Sequence, residues 1–353
     1  MEKMNTLPNT GGGMNRRAFL RLSGLLGLGV ASGGIIPAAA EAVKFNGKLY
    51  KISKTRLAMG TFVSMTLIHP SRDEAQAAMG LAFEEIDRLT RTMSRFDDTT
   101  AVAQLNKEGR LNDVPPEVAQ VVARGLGYYR LSRGNFDISV KPVVDLFRET
   151  FDSGKDTLPS ESEVDKALVL VGSDMIELDG RTLRFRKPGM GITLDGIAKG
   201  YIVDRASQIL TKHNIRNHLI NAGGDIRTTG LSRGKRPWTI AIQDPKKQKK
   251  YPDIIKMTDG AVATSGNYEA YFDREKMFHH IVNPDTGRSP EASTSVSVIA
   301  DTTMDADALS TSVFVMNPVR GTRFINTLPR CECLVIARNG EKFTSAGWKS
   351  AAT

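Results

Sequence analysis

The chain has 353 residues, 40% of them hydrophobic and 25% charged, with a formal net charge of +9. This is the balance of an ordinary soluble globular protein with room for a large core, in one big domain or two smaller ones. The charge does not mark a nucleic-acid binder: Lys3, Arg16, Arg17 and Arg21 against Glu2 put +3 of it in the first forty residues, and much of the rest is the Lys246–Lys250 run KKQKK, a solvated loop without interleaved aromatics.

Asn15-Arg16-Arg17-Ala18-Phe19-Leu20-Arg21 precedes a weakly apolar, Gly-diluted run from Leu22 to Ile36 and then Pro37-Ala38-Ala39-Ala40. A basic pair, a short apolar segment and an Ala-x-Ala end predict a twin-arginine export signal over residues 1–40, with cleavage after Ala40 and a mature domain over 41–353. As a membrane anchor the run falls short, about fifteen residues against the roughly 20 needed to span. No Cys near the cleavage point offers a lipid anchor, so no stable membrane insertion is expected once the signal is removed.

RLAMGTFVSMTLI, Arg56 to Ile68, alternates as a strand with Val63, Met65 and Leu67 on one face. Ser71 and Glu74 form a capping box for a long helix whose apolar residues are Ala75, Met79, Ala82, Phe83, Ile86, Leu89 and Met93. Pro115-Pro116 opens a second helix carrying Val118, Val121, Val122, Leu126 and Tyr129, which Gly134 stops. ESEVDKAL is a short helix, and MIELDG with TLRFRKP a strand pair about the Asp179-Gly180 turn. A helix over Gly200–Leu210 precedes short strands at His218–Asn221, Trp238–Gln243, Gly260–Thr264, Ser293–Ala300 and Cys333–Ala337, with a helix over Thr303–Val315. Strands and helices intermix without a repeat, which predicts an α+β fold. The only cysteines, Cys331 and Cys333, share one face of the last strand, which favours buried thiols over a metal site or disulfide framework.

Thr264 to Thr311 holds two of the five histidines, several carboxylates and a Thr that packing does not require. In DADALST, Asp307 and Thr311 are one helical turn apart, a spacing suited to a hard cation such as Mg²⁺. The competing reading is that Asp305 and Asp307 merely complement a helix N-terminus. GITLDGIAKGYIVD reads as a strand, a turn and a helix, with Lys199 in the first helical turn where a phosphate could sit. The Walker spacing is absent. NAGGDIRTTG brings backbone close either to a ligand or to another strand. HHIVNPDTGRSP puts His279 and His280 on opposite faces of a strand ending at Asn283-Pro284, so at most one faces a site.

MGT (Met59–Thr61), NFD (Asn135–Asp137), LDGIAKGY (Leu194–Tyr201), NAGGD (Asn221–Asp225), TSGNYE (Thr264–Glu269), HIVNPDTG (His280–Gly287) and DADALST (Asp305–Thr311) resemble, in order, the motifs of the ApbE family of FAD:protein FMN transferases. The resemblance spans essentially the whole mature chain. It implies a single mixed α/β domain of ApbE-like, T-fold-related architecture with a flavin-binding cleft. It also implies that FAD's phosphoanhydride is attacked by a Thr or Ser hydroxyl of a target protein, leaving FMN esterified there and releasing AMP.

By position, the resemblance implies FAD contacts at Met59, Phe96, Asn135, Phe136, Asp137, Thr193, Lys199, His280 and Ile281, with His280 as base. Mg²⁺ would be held by Asp307, Thr311 and the Gly196 carbonyl. Two departures stand out: Phe96 where many members have Tyr, and Thr193 where many have Asp, the acid here being Asp195. ITLDGIAKGY is closer to the subgroup associated with nitrous-oxide respiration. The implied partners are flavin-acceptor subunits of membrane or periplasmic electron-transport complexes, and the implied location is the periplasm. A non-catalytic FAD carrier or assembly factor, and an FAD pyrophosphatase giving FMN and AMP, are the alternatives. A base favours catalysis over carriage but does not separate transferase from hydrolase.

Overall fold

Val63, Met65 and Leu67 line the buried face of a strand, as their alternation predicts, in a computed structural model that describes residues 41–45, 48–152, 158–232, 235–245, 251–267 and 281–350. That strand begins only at Thr61. Met59 and Gly60 take φ of 50° and 71°, a two-residue reversal, so RLAMGTFVSMTLI is the end of one arm, the turn and the second arm of a hairpin rather than one strand.

Nine strands form the main sheet: β1 Glu41–Phe45, β2 Leu49–Ala58, β3 Thr61–His69, β4 His218–Ala222, β5 Asp225–Thr229, β6 Gly260–Gly266, β7 Ser293–Ala300, β8 Glu332–Ala337 and β9 Lys342–Thr344. Their order across the sheet is their order in the chain, and each pairing is antiparallel. Six helices enter between β3 and β4: α1 Arg72–Met93, α2 Ala101–Glu108, α3 Pro116–Ser132, α4 Lys141–Asp152, α5 Glu161–Leu168 and α6 Ala198–Lys212. With them comes a small sheet of Arg110–Leu111, Ile176–Asp179 and Thr182–Phe185. Helices α7 Thr303–Val315 and α8 Pro318–Asn326 connect β7 to β8. The expected α+β class is what forms.

Helix α1 packs on α6, α6 on α7, and α7 on β6 and β7. Ala261, Ala263 and Ala300 meet Ala306 there, so small side chains let α7 lie close to the sheet. The alternate positions, Ile226 and Val262, face the other way and pack with Leu334 and the hairpin Trp238–Ala241/Ile254–Met257 through Ile240, Ile255 and Met257. Among the described residues no helix is long and apolar enough to cross a membrane.

Local signals set several boundaries. Ser71 Oγ accepts from Glu74 N–H at 3.3 Å, but the Ser71 N–H goes to His69 Nδ1 at 3.2 Å, leaving half a capping box. Ser160 and Glu163 make the complete one, at the start of α5. Helix α3 ends on Arg133 at φ 56°, with Gly134 following. Cys331 sits just before β8 and Cys333 within it; both are free thiols, and burial pushes them up to about 11 and about 12.

Helices α6 and α7 are locked together at their starts. The N–H groups of Thr303 and Met304 each donate to Asp204 at 2.9 Å, so a carboxylate of α6 caps α7. A methyl group on Gly200 would meet the Thr303 carbonyl oxygen at 2.4 Å. Gly200→Ala is therefore expected to destabilise the protein by about 1–3 kcal/mol, the usual effect of overpacking, read as a lowered denaturant midpoint. An unchanged midpoint would mean that the helices separate freely.

His218 on β4 is fully buried, with Nε2 2.8 Å from Ser207 Oγ and Nδ1 2.9 Å from the Ile215 carbonyl. Burial pushes it down to about 4, so the folded protein holds it neutral. Its contribution is fully present above the unfolded value of about 6.5 and is lost as pH falls towards about 4. Between pH 7 and 4 the protein should lose roughly 3 kcal/mol more stability than His218→Gln. Parallel urea melts across that range check the difference, and coincident slopes would remove His218 from the acid response.

Candidate active site

The sequence GITLDG was expected to enter as a strand, but residues 191–194 join no sheet. The Asn106 side chain substitutes for a neighbouring strand, donating to the Ile192 carbonyl at 3.0 Å and accepting its N–H at 2.7 Å. Thr193 N–H adds a bond to the Ile138 carbonyl at 2.8 Å. This fixes the turn at Asp195–Ile197, after which α6 starts with Ala198 and Lys199 in its first turn. Asn106 went unnoticed in the sequence because nothing local shows an amide pairing with backbone so far along the chain.

On α7, Asp305 and Asp307 diverge. Asp305 accepts from Tyr128 Oη at 2.6 Å and from Arg124, on the exposed side of the helix start, as the helix-complementing reading requires. Asp307 points inward and is 5% exposed. The Gly200 N–H donates to its Oδ2 at 3.0 Å, and among the described residues it forms no ion pair. Burial, reinforced by the field of Asp225, raises its carboxyl well above the ordinary range. Thr311, one turn on, has Oγ1 3.3 Å from Ser265 Oγ, and a methyl group on Gly196 would meet that same Oγ1 at 3.2 Å. Gly196, Asp307 and Thr311 thus face one another across the junction of α6 and α7.

Asp225, not singled out by the sequence, completes this corner. It is 1% exposed, with Oδ2 3.1 Å from Lys199 Nζ. The residue follows the Gly223-Gly224 turn, at φ 62° and 103°, which only glycines adopt easily. A methyl group on Gly223 would meet Thr61 Oγ1 at 2.5 Å, so the MGT and NAGGD turns touch. Thr264 lies beside Gly224, and Ser265 Oγ bonds Ser310 Oγ at 2.8 Å. Five of the seven motifs therefore gather at one end of the sheet.

The remaining positions form the flank. Phe136 is buried, edge-on to Tyr128 with ring centroids 6.0 Å apart, and its ring edge reaches the Gly196 position. Asn135 Nδ2 donates to the Ser132 carbonyl at 2.7 Å. Asp137 Oδ1 accepts from Ser139 N–H at 2.7 Å and from the Ser139 and Ser173 hydroxyls at 2.6 Å each; burial raises its carboxyl despite these bonds. Ile281 is buried in the main core, and Met59 packs partly against it. Thr193 Oγ1 accepts the Asp195 N–H at 3.3 Å, while the exposed Asp195 carboxylate takes Arg95 Nε at 3.3 Å. Arg95 and Arg148 cover the ring of Phe96, at 4.5 and 4.9 Å from its centroid; that ring is 59% exposed. His279 and His280 lie outside the described residues.

The donor set at Asp307 suits a hard cation. Among the described residues no three carboxylate, imidazole or thiolate groups cluster, which leaves one inward carboxylate, a hydroxyl and a backbone carbonyl. Mg²⁺ is commonly held by one or two carboxylates plus waters and substrate phosphates. Among the described residues two buried carboxylates, Asp225 and Asp307, lie near Lys199 and each disfavours charge on the other, a repulsion that a divalent cation would offset.

A helix N-terminus with a lysine in its first turn, beside a face lined by oxygen atoms, is an arrangement chemically suited to a phosphorylated ligand. A model of the ApbE family matches residues 59–335, and the chain belongs to that family. The FAD:protein FMN transferase of Vibrio cholerae is 32% identical over 246 residues, spanning 67% of this chain and 74% of that protein. The one from Haemophilus influenzae is 29% identical over 248 residues, 66% of this chain and 72% of its own. Among solved structures, the ApbE protein of Thermotoga maritima superposes with a TM-score of 0.76 at 30% identity, covering 84% of this chain and 97% of that one. The flavin transferase ApbE from Vibrio cholerae gives 0.72 at 27% identity, covering 87% and 98%.

Proposed function

We propose that this protein transfers the FMN moiety of FAD to a Thr or Ser hydroxyl of a target electron-transport protein, with release of AMP. The observation that carries the reading is the inward Asp307, without an ion pair among the described residues, set beside Thr311, Gly196 and the first turn of α6. Asp307, Thr311 and the Gly196 carbonyl would hold Mg²⁺, which supplies charge neutralisation on the diphosphate when bound. Lys199, in the first turn of α6, would orient the phosphates. The acceptor oxygen forms a bond to the FMN phosphorus, the phosphoanhydride bond to AMP breaks, and His280 takes the hydroxyl proton. Phe96 offers an exposed ring for stacking a planar heterocycle.

The twin-arginine segment supports export of the chain and work on periplasm-facing acceptors, and the ITLDGIAKGY motif supports the subgroup associated with nitrous-oxide respiration. The deciding experiment incubates the mature protein with FAD, Mg²⁺ and a candidate acceptor domain. Acid-stable flavin fluorescence on the acceptor is the expected result. Free FMN and AMP without a labelled acceptor would make it a pyrophosphatase, and FAD bound but unchanged would make it a carrier.

A further inference from the structure

Arg95 places a guanidinium where its side chain is only 8% exposed. It follows Ser94, the residue that ends α1, and reaches two other segments of the chain. Nη1 donates to Asp145 Oδ1 on α4 at 3.0 Å, and Nε donates to Asp195 Oδ2, in the turn before α6, at 3.3 Å. The two carboxylates do not depend on it equally. Asp145 also holds Lys141, one helical turn earlier. Among the described residues Arg95 is the only cationic partner of Asp195. Asp195 stands immediately before Gly196, where a methyl group would come within 3.2 Å of Thr311 Oγ1. Its charge is felt at Asp307, where it adds to burial and to Asp225 in disfavouring ionisation. A carboxylate thus stands at the entrance to the helix whose first turn carries Lys199.

We propose that Arg95 is a positioning residue that holds and neutralises Asp195, and so keeps the turn before α6 open to the diphosphate of the ligand. The inference rests on the reading that the phosphates lie at the first turn of α6, and it adds a role for an arginine that none of the seven motifs contains. It also accounts for the acid that stands at position 195 rather than 193: the Asp195 carboxylate is committed to Arg95, and Thr193 Oγ1 to the Asp195 N–H at 3.3 Å. Without Arg95, Asp145 keeps Lys141, whereas Asp195 is left with its charge uncompensated on a one-carbon stem at the turn. Such a charge repels an anionic ligand and leaves a neutral one indifferent. The guanidinium also lies 4.5 Å from the centroid of the Phe96 ring, so the test must separate charge from support of that ring.

The test is FAD binding by the full-length protein without divalent cation, so that no turnover occurs, with riboflavin as a probe that has the ring system but no phosphate. Arg95→Gln is expected to weaken FAD binding by about tenfold and to leave riboflavin binding within about threefold, and the FAD loss should shrink as salt is raised to about 0.5 M. Adding Asp195→Asn to Arg95→Gln should return FAD binding to within about threefold of the starting protein, because the uncompensated charge is gone. Asp195→Asn alone should bind FAD as tightly as the starting protein or more so, and this variant decides the matter if Arg95→Gln fails to fold. Unchanged FAD binding by Arg95→Gln overturns the proposal, as does a double variant that stays as weak as the single one, or a loss of about tenfold in Asp195→Asn. An equal loss for riboflavin overturns it too, and would make Arg95 a support for the Phe96 ring. If the starting protein binds FAD no more tightly than riboflavin, the phosphate reading of the α6 turn fails first and the proposal with it.

Discussion

Asp307→Asn is expected to reduce FMN transfer by on the order of 10²–10³-fold while leaving the fold intact. The substitution removes the only inward carboxylate on the α7 face shared with Thr311, and a cation that neutralises phosphoryl charge supplies several kcal/mol at the transition state. The amide keeps an oxygen able to accept the Gly200 N–H, so the junction of α6 and α7 survives. Because burial and Asp225 both disfavour the charged carboxylate, its replacement by a neutral amide should leave the metal-free melting temperature unchanged or raised. The signature is therefore lost activity at undiminished stability, measured by acceptor labelling and thermal unfolding side by side. Full activity, or a collapse of stability that accounts for the loss, would show that Asp307 serves packing alone.

The second large effect is expected at His280. His280→Ala should lower transfer by about 10²–10⁴-fold, the usual contribution of a general base, with FAD affinity changed only a few-fold. A variant that labels its acceptor at the normal rate would assign the proton to another group. Weak FAD binding in the same variant would instead make the ring a substrate contact.

These two residues also mark how far the sequence reaches. Helix α7 and strand β7 were legible in the sequence, the strand because Ser293–Ala300 is a run of β-forming residues; the structure adds Thr302 as the helix cap. The i, i+4 relation of Asp307 and Thr311 follows from helical geometry alone. Their meeting with Gly196 does not, since it depends on Gly200 admitting the Thr303 carbonyl and on Asp204 capping α7. The hairpin at Met59-Gly60 was misread because a two-residue turn preserves the alternation on either side of it, and Met is not a residue whose type announces positive φ. The GITL segment looked like a strand because its composition is right. Its partner is a side chain, Asn106, rather than another strand. Helices α2, α4 and α8 were not read, although Thr100 and Gly109 bound the first and Asn317-Pro318 opens the last; Asp225 drew no notice because only the three-dimensional arrangement brings it to Lys199.

The order of strands in the sheet carries a consequence for how the chain acquires its site. Six of the eight neighbour pairs join strands that follow one another closely or through one hairpin or helical connection, but β3 meets β4 only across all six helices of the long insertion, as Met65 pairing with Ile220 shows. Closing so long a loop is entropically slow and must precede the contacts that reward it. The corner that Gly196 shares with Asp307 and Thr311 needs still more, since both of those arrive after β7. A nascent chain halted before Ser293 would possess the lysine, the glycine turns and six of the nine strands, yet lack both Asp307 and Thr311. The corner of Gly196, Asp307 and Thr311 is thus acquired late by the growing chain, beyond the reach of any fragment that stops before α7.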